Sequence, residues 1–262
     1  MIWQSLATSI RKQDWLSVII EMFIVVLGVF LGLQVNNWNE ERISRADAAD
    51  SRHQLISDLR ADLDAFEVRQ QWYDEVFEAA LRVDNALRSE RPKTVDGMWR
   101  FVRDAYAASG EWVFAPSAQV YKDLQNAGDL NLIASGSIQR RLRDYYEDSA
   151  HEVEVSLTFR SAYAATARQL IEGHVSLAIS DCLSASTLEP SQPSASPGSF
   201  FGGCSQPDNV ELLTTSAERL HQSDVLRSHL NMRLINLASV RSLLDYLDRQ
   251  ARSLVSELEA VQ

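Results

Sequence analysis

The sequence of 262 residues has few features that indicate chemistry. It has no Gly-x-Ser-x-Gly nucleophile motif. Its one glycine-rich segment, residues 198–203, does not lie between a strand and a helix, so it is no phosphate-binding loop. Among the five histidines, His151 has acids at helical spacing, but in the wrong order for a di-iron bundle, which needs two Glu-x-x-His turns and two further carboxylates. We therefore predict no catalytic residue, metal or cofactor.

Positive charge is also scarce. Lys and Arg number 25 against 36 Asp and Glu, which gives a net charge of −11. Nucleic acids and anionic lipid surfaces need a basic face, so the composition argues against both as partners. The hydrophobic share of 45% is ordinary for a folded protein. We expect the soluble part to bury one core.

One long apolar run dominates the N-terminal region. Leu16–Val35 is interrupted only by three polar residues, Ser17, Glu21 and Gln34. Twenty helical residues span about 30 Å, the thickness of a bilayer core. A cleaved signal peptide is the alternative, but no small-x-small site follows the run. We predict an uncleaved transmembrane helix over residues 15–38, with Trp15 and Trp38 at its two interfaces.

Orientation rests on the two cysteines, because the numbers of Lys and Arg on the two flanks of the run do not favour either direction. Cys182 and Cys204 lie 22 residues apart in residues 181–208, a loop rich in Ser, Pro and Gly. This pattern favours a disulfide, which needs an oxidising compartment; two free thiols are the alternative. We expect residues 1–14 in the cytoplasm and the remainder outside it.

Two features of the predicted span suggest helix contacts. Gly28 and Gly32 form a small-xxx-small pair, which lets two helix backbones approach closely, although glycine is common in membrane helices generally. Glu21 lies inside the run, where a carboxylate is costly. It is protonated, paired across an oligomer or part of a proton path; alternatively it reaches the interface.

Apolar periodicity in the remainder is helical. No Pro or Gly interrupts residues 33–91, so the membrane helix is expected to continue to Pro92. Alternating three-four spacing predicts a heptad seam along it. Its members are Ile56, Leu59, Leu63, Phe66, Gln70, Tyr73, Phe77, Ala80 and Leu87.

Two short helices are predicted next. Thr94 is expected to cap Val95–Ala108, and a second helix is expected from Pro116 to Ala127 with Gly128 as its stop. Residues 129–136 are predicted to form a turn with an extended stretch at 131–133.

Two more long helices follow, one from Ser137 to about Ser180 and one from Val210 or Leu220 to the C-terminus. The last carries a second seam of Leu230, Leu237, Val240, Leu244, Leu247, Ala251, Leu254, Leu258 and Val261. The predicted fold is all-α: the transmembrane helix continues into an elongated antiparallel bundle of three long and two short helices. Residues 39–180 and 209–262 supply its two parts.

The stretch from Glu21 to Arg42 resembles a family of bacterial single-span membrane proteins of unknown function. Its members have an early acid in the span and a Gln-x-Asn-Asn-Trp-Asn-Glu exit from it. Residues 121–133 and 142–146 are similar to the family's second pattern, a helix ending in Gly followed by a helix with paired aromatics. The resemblance covers about the first 150 residues. It implies a bacterial membrane protein with no assigned enzyme activity. Together with the cysteines, it leads us to expect an inner-membrane location with the bulk of the chain periplasmic.

The exit motif also has a physical interpretation. It consists of Gln34, Asn36, Asn37, Trp38 and Asn39. Its amides either form a polar collar around an oligomer axis or merely solvate the end of the membrane helix.

Three functions fit these features. The first is a membrane-anchored helical scaffold or accessory protein that forms a homo-oligomer or binds another membrane or envelope protein. The second is a periplasmic sensor or ligand-binding bundle that signals through a partner. The third is an ion-coupled component that uses Glu21.

Overall fold

The computed structural model describes residues 15–112, 116–149, 161–187, 200 and 204–260. All the regular structure in these ranges is helical, which confirms the all-α fold. The chain divides into two compact units, with the boundary between His53 and Gln54. The predicted cytoplasmic tail, residues 1–14, lies outside the described residues.

The first helix, α1, spans Trp15–Arg88. Its continuity agrees with the absence of Pro and Gly after Leu33, and it ends four residues before Pro92. It is long and apolar enough to cross a membrane near its N-terminal end, where the mean hydropathy is 2.1 and no side chain of the apolar window is buried. Length and composition are therefore those of a membrane span.

In the second unit, the buried face of α1 is broader than the predicted seam. Six of the nine predicted positions are buried, while Leu63, Gln70 and Phe77 are only half-buried. Six further buried residues belong to this part of α1: Leu55, Asp62, Trp72, Val76, Ala79 and Val83. A helix packed against several neighbours buries a wide stripe of 3.6-residue period rather than a narrow coiled-coil seam.

Both predicted short helices are present, and the second begins three residues later than predicted. Helix α2 spans Val95–Ala108, and the Thr94 hydroxyl accepts a hydrogen bond from the Gly97 N–H at 3.1 Å. Helix α3 spans Gln119–Ala127. It ends at Gly128, whose φ of 77° is the left-handed conformation that favours glycine.

The predicted long helix from Ser137 to Ser180 is wrong. The chain instead forms α4 (Leu130–Ile133), α5 (Gly136–Arg143), a π-helical segment (Asp144–Ser149), α6 (Ala162–Leu170) and α7 (Gly173–Thr187). The extended stretch predicted at 131–133 is wrong as well, because α4 covers it.

Local hydrogen bonds explain the break between α6 and α7. The Ser161 hydroxyl caps α6 by accepting from the Ala164 N–H. At its other end Ile171 is extended, and the next N–H, of Glu172, donates to the Ser216 hydroxyl at 3.0 Å. The backbone therefore leaves the helix before Gly173. Residues 150–160 of the predicted helix lie outside the described residues.

The C-terminal region forms two helices, α8 (Val210–Gln222) and α9 (Asp224–Ala260). They separate at Ser223, whose hydroxyl accepts from the Leu226 N–H at 3.1 Å. Every predicted seam residue of α9 from Leu230 to Leu258 is buried. Val261 lies outside the described residues.

The disulfide Cys182–Cys204 is formed, with the two Cα atoms 5.5 Å apart. The predicted loop begins later than expected, because Cys182 lies within α7. Cys204 is buried, and its carbonyl accepts a hydrogen bond from the Trp99 indole N–H at 3.3 Å. The disulfide therefore joins the segment before α8 to α7, and the Trp99 hydrogen bond joins the same segment to α2.

Removing the disulfide should destabilise the fold. For a closed loop of this length the chain-entropy model gives a loss of about 3 kcal/mol for Cys182→Ser with Cys204→Ser. Denaturant unfolding of the second unit, followed by circular dichroism, measures it. Reducing the wild type should produce the same loss, and the reductant should leave the double variant unchanged.

Candidate functional site

One face of the apolar segment of α1 carries its unusual residues. At 100° per residue, Gly28 lies two turns beyond Glu21 on nearly the same line, and Gly32 lies one turn further. A Cβ built on either glycine meets no atom within 4 Å. Glu21 is exposed. The helix therefore presents a narrow face with a carboxylate and two positions of bare backbone, here named the glycine face.

The amides that follow surround the helix. Asn39 continues the line of the glycine face, whereas Gln34 and Asn37 point away from it by helical geometry. Asn36 donates to Glu40 at 2.7 Å, and Asn39 accepts from Arg42 at 3.4 Å. Trp38 is 68% exposed. Asn39 is thus the amide best placed to join a contact made by the glycines.

The second unit contains a buried carboxylate that the sequence analysis missed. Asp62 on α1 is 4% exposed. One of its oxygens accepts from the Tyr145 hydroxyl at 2.8 Å, and the other accepts from the Ser117 N–H at 3.2 Å. Asp62 follows Leu59 at helical spacing and therefore falls on the apolar face of the helix. This position is the feature of the sequence that could have predicted its burial.

The paired tyrosines lie in the π-helical segment beside this carboxylate. The Tyr146 ring stacks on Tyr121 with the ring centroids 4.8 Å apart, and meets Tyr145 edge-on at the same distance. The Tyr121 hydroxyl donates to Glu147 at 2.7 Å. Single turns of π-helix often occur at functional sites because they re-aim neighbouring side chains. Here the turn directs two consecutive tyrosines into the core.

Two polar atoms near Asp62 and the tyrosines are buried without a hydrogen-bond partner in the described part of the chain. They are one oxygen of Asp58 and the Tyr146 hydroxyl. Asp58 lies one turn before Asp62 on α1, so the two carboxylates are neighbours. We name Asp58, Asp62, Tyr121, Tyr145 and Tyr146 the acid–tyrosine cluster.

Burial sets the protonation of the cluster. It raises the pKa of Asp62, which the Tyr145 and Ser117 hydrogen bonds lower and the Asp58 charge raises again. Burial also raises the pKa of Asp58. Burial and then Glu147 raise the pKa of Tyr121 to about 12. Burial raises the pKa of Tyr145 and of Tyr146 as well. All three tyrosines therefore remain neutral, and the two aspartates are the groups that can take up a proton.

A pocket of about 400 Å³ lies elsewhere in the second unit, lined by Glu111, Ser161, Ala164, Ala165 and Arg168. Glu111 accepts from the Ser161 N–H at 3.0 Å. The Arg168 Nε donates to the Ser109 hydroxyl at 3.3 Å. The pocket thus offers both a carboxylate and a guanidinium.

A second guanidinium lies beside this pocket. Arg233 of α9 is 5% exposed and donates to the carbonyls of Ala108 and Gly110. Its Nη1 lies 3.8 Å from Glu111. Burial lowers the pKa of Arg233, and Glu111 raises it in part. Arg233 lies on the line of the predicted leucine seam. This position in the sequence indicates a charged side chain that faces the core.

The histidines have separate partners. His229 contacts the Thr166 hydroxyl at 3.0 Å, and His221 contacts the Ser89 carbonyl at 3.0 Å. His151 lies outside the described residues. Within the residues described, no three His, Cys, Asp or Glu side chains are placed to hold a metal ion.

Comparison with known proteins gives no relative. Searches against protein-family models, curated proteins and solved structures found no match. The resemblance in the exit motif therefore stays a prediction.

The buried aspartates should make stability depend on pH. When the pKa of a carboxyl group is higher in the folded state than in the unfolded state, the folded state loses stability as the pH rises from about 4 through the raised pKa. Asp58→Asn should therefore stabilise the second unit at neutral pH, because the amide removes the charge that burial disfavours. The gain should vanish below pH of about 4, as measured by urea unfolding across pH.

The matched control is Asp64→Asn, which removes one charge from an exposed position of the same helix. It should change stability by less than Asp58→Asn at neutral pH. Equal effects of the two variants there would contradict the assignment.

Proposed function

We propose that this chain is a membrane-anchored helical scaffold or accessory protein. It acts by holding a second copy of itself, or another envelope protein, through helix contacts. The observation that carries the proposal is the glycine face, where Glu21, Gly28 and Gly32 align on a helix apolar enough to span a membrane.

The glycine face suits a partner helix for two reasons. Bare backbone at two positions one turn apart allows close approach, and helix association in lipid depends on such packing. A carboxylate on the same face is costly toward lipid, and protein contact or water lowers that cost. Both features are explained if this face meets protein and the other faces meet lipid.

The disulfide supports the location that we propose. We place residues 1–14 in the bacterial cytoplasm, the span in the inner membrane and the bulk of the chain in the periplasm. The Cys182–Cys204 bond supports this orientation because disulfides persist in the periplasm and are rare in the cytoplasm.

A second candidate function is a ligand-binding module, which the pocket favours. Its volume of about 400 Å³ is in the range of small-molecule sites. Glu111 suits an ammonium group and Arg168 a carboxylate, so the fitting class is a small zwitterion such as an α-amino acid.

The scaffold proposal is tested by the mass of the full-length protein in nanodiscs, by light scattering. We expect a discrete oligomer or a co-purifying partner. Gly28→Leu with Gly32→Leu should abolish that assembly, because the added side chains hold two backbones apart. Val26→Leu with Phe30→Leu changes the opposite face and should leave it intact.

Two results would refute the proposal. One is a wild type that is monomeric in nanodiscs and carries no partner. The other is an assembly that persists equally in the glycine variant and the control.

The ligand-binding candidate is tested by melting temperature against a panel of α-amino acids. A ligand at 100 times its dissociation constant adds about 2.7 kcal/mol of stability, which raises the melting temperature by several degrees. Arg168→Met should remove the shift. Arg100→Met, at an exposed arginine paired with Asp96, should retain it. No shift with any amino acid would eliminate this candidate.

A further inference from the structure

Helix α9 carries a second stripe on the side away from the core. Its positions follow one another at alternating spacings of three and four residues, as in a coiled-coil seam. They are Val225, Ser228, Met232, Ile235, Ser239, Ser242 and Tyr246, here named the outer stripe. All seven are exposed, Met232 by 60% and Ile235 by 62%. By helical geometry the stripe lies on the opposite side of α9 from the buried leucines.

The centre of the outer stripe lacks charge. From Ser228 to Val240 the chain has a single Asp, Glu, Lys or Arg, and that residue is Arg233, which is turned into the core. The helix beyond Val240 is densely charged, with ion pairs such as Arg249–Asp245 and Arg252–Asp248. For a chain of net charge −11, this uncharged surface departs from the general pattern.

Ser239, near the centre of the stripe, is compatible with a dry contact. The Ser239 hydroxyl donates to the Ile235 carbonyl of its own helix at 3.0 Å. Burying it therefore leaves no donor unpaired. Serine is also small, so two helices can approach closely at Ser228 and Ser239, on either side of the Met232 and Ile235 pair.

We propose that the outer stripe is a docking surface for the same stripe of a second copy of this chain. This inference rests on the proposed scaffold function and names its partner. A partner that covers the stripe needs a helix with an uncharged seam of matching spacing, and α9 itself supplies one. A two-fold pairing is self-complementary by construction.

The distribution of charge shows where two copies can meet. Two copies of a chain with net charge −11 repel one another over most of their surfaces. Contact is least opposed where neither copy presents a charge, which is the centre of this stripe. A basic partner would instead be attracted to the acidic surfaces elsewhere.

The size of the contact explains why anchoring matters. The stripe from Val225 to Tyr246 is about 32 Å long, and a contact between two single helices of this length lies below the roughly 1,200 Å² of a standard interface. Such a dimer is weak in free solution. Two copies anchored in one membrane experience a raised effective concentration, which populates it.

The test uses full-length protein in lipid nanodiscs and a single reporter thiol. Both native cysteines are in the disulfide, so Ser239→Cys adds the one free thiol. A flexible bismaleimide that bridges about one heptad, or about 10 Å, joins two such thiols in either a parallel or an antiparallel pair. We expect a cross-linked dimer. Adding Met232→Glu and Ile235→Glu should reduce its yield about tenfold or more, because like charges would meet in a desolvated contact.

The matched control adds the same two charges at exposed apolar positions elsewhere. Leu132 and Leu177 are 47% and 59% exposed, and Leu132→Glu with Leu177→Glu should leave the cross-link yield unchanged. The proposal is overturned if no cross-link forms, or if the Met232 and Ile235 variant cross-links as well as the control.

Light scattering on the same samples separates the two proposals. A discrete dimer without a cross-link at residue 239 overturns the outer stripe alone and leaves the glycine face standing. A monomer without any co-purified protein overturns both.

Discussion

The buried guanidinium of Arg233 holds several segments of the second unit in one arrangement. It donates to the carbonyls of Ala108 and Gly110 at the end of α2, and Glu111 beside it accepts from the backbone at the start of α6. Gly110 also lies against Trp72 of α1, where a Cβ would come within 2.8 Å of the indole. Four helices thus meet around one cation. Removing that cation would leave carbonyls without donors, which is costlier than losing the same contacts at the surface.

The acid–tyrosine cluster compensates its buried charge less completely than the Arg233 site does. Arg233 has acceptors and a carboxylate beside it. Asp58 and Asp62 lie one turn apart, and the Tyr145 and Ser117 hydrogen bonds and the Arg69 charge offset the burial of Asp62 only in part. A buried charge is tolerated when hydrogen bonds or a counter-charge compensate its desolvation. The first site is therefore a structural tie. At the second site, protonation of the aspartates changes the stability of the fold.

The sequence predicted those parts of the fold that depend on local chemistry. The Thr94 cap, the Gly128 stop, the disulfide and the leucine seam all follow from neighbouring residues, and the structure shows each of them. The helix break at Ile171 could not be predicted in this way, because the Glu172 N–H beside it donates to Ser216 of α8, which is distant in the sequence. Asp62 and Arg233 were passed over for a related reason. A single charged residue in an apolar line is indistinguishable from an interruption until its partners are known.

The disulfide has a topological consequence. Cys182 and Cys204 enclose a segment that contains three of the six prolines, and each cysteine is attached to a packed helix or its immediate approach. A single cut of the chain anywhere between them leaves the two pieces covalently joined. Helices α8 and α9 would stay attached to α1 and the helices that follow it after such a cut, for as long as the bond remains oxidised. The bond thus serves as a second covalent connection between the N-terminal helices and the C-terminal helices.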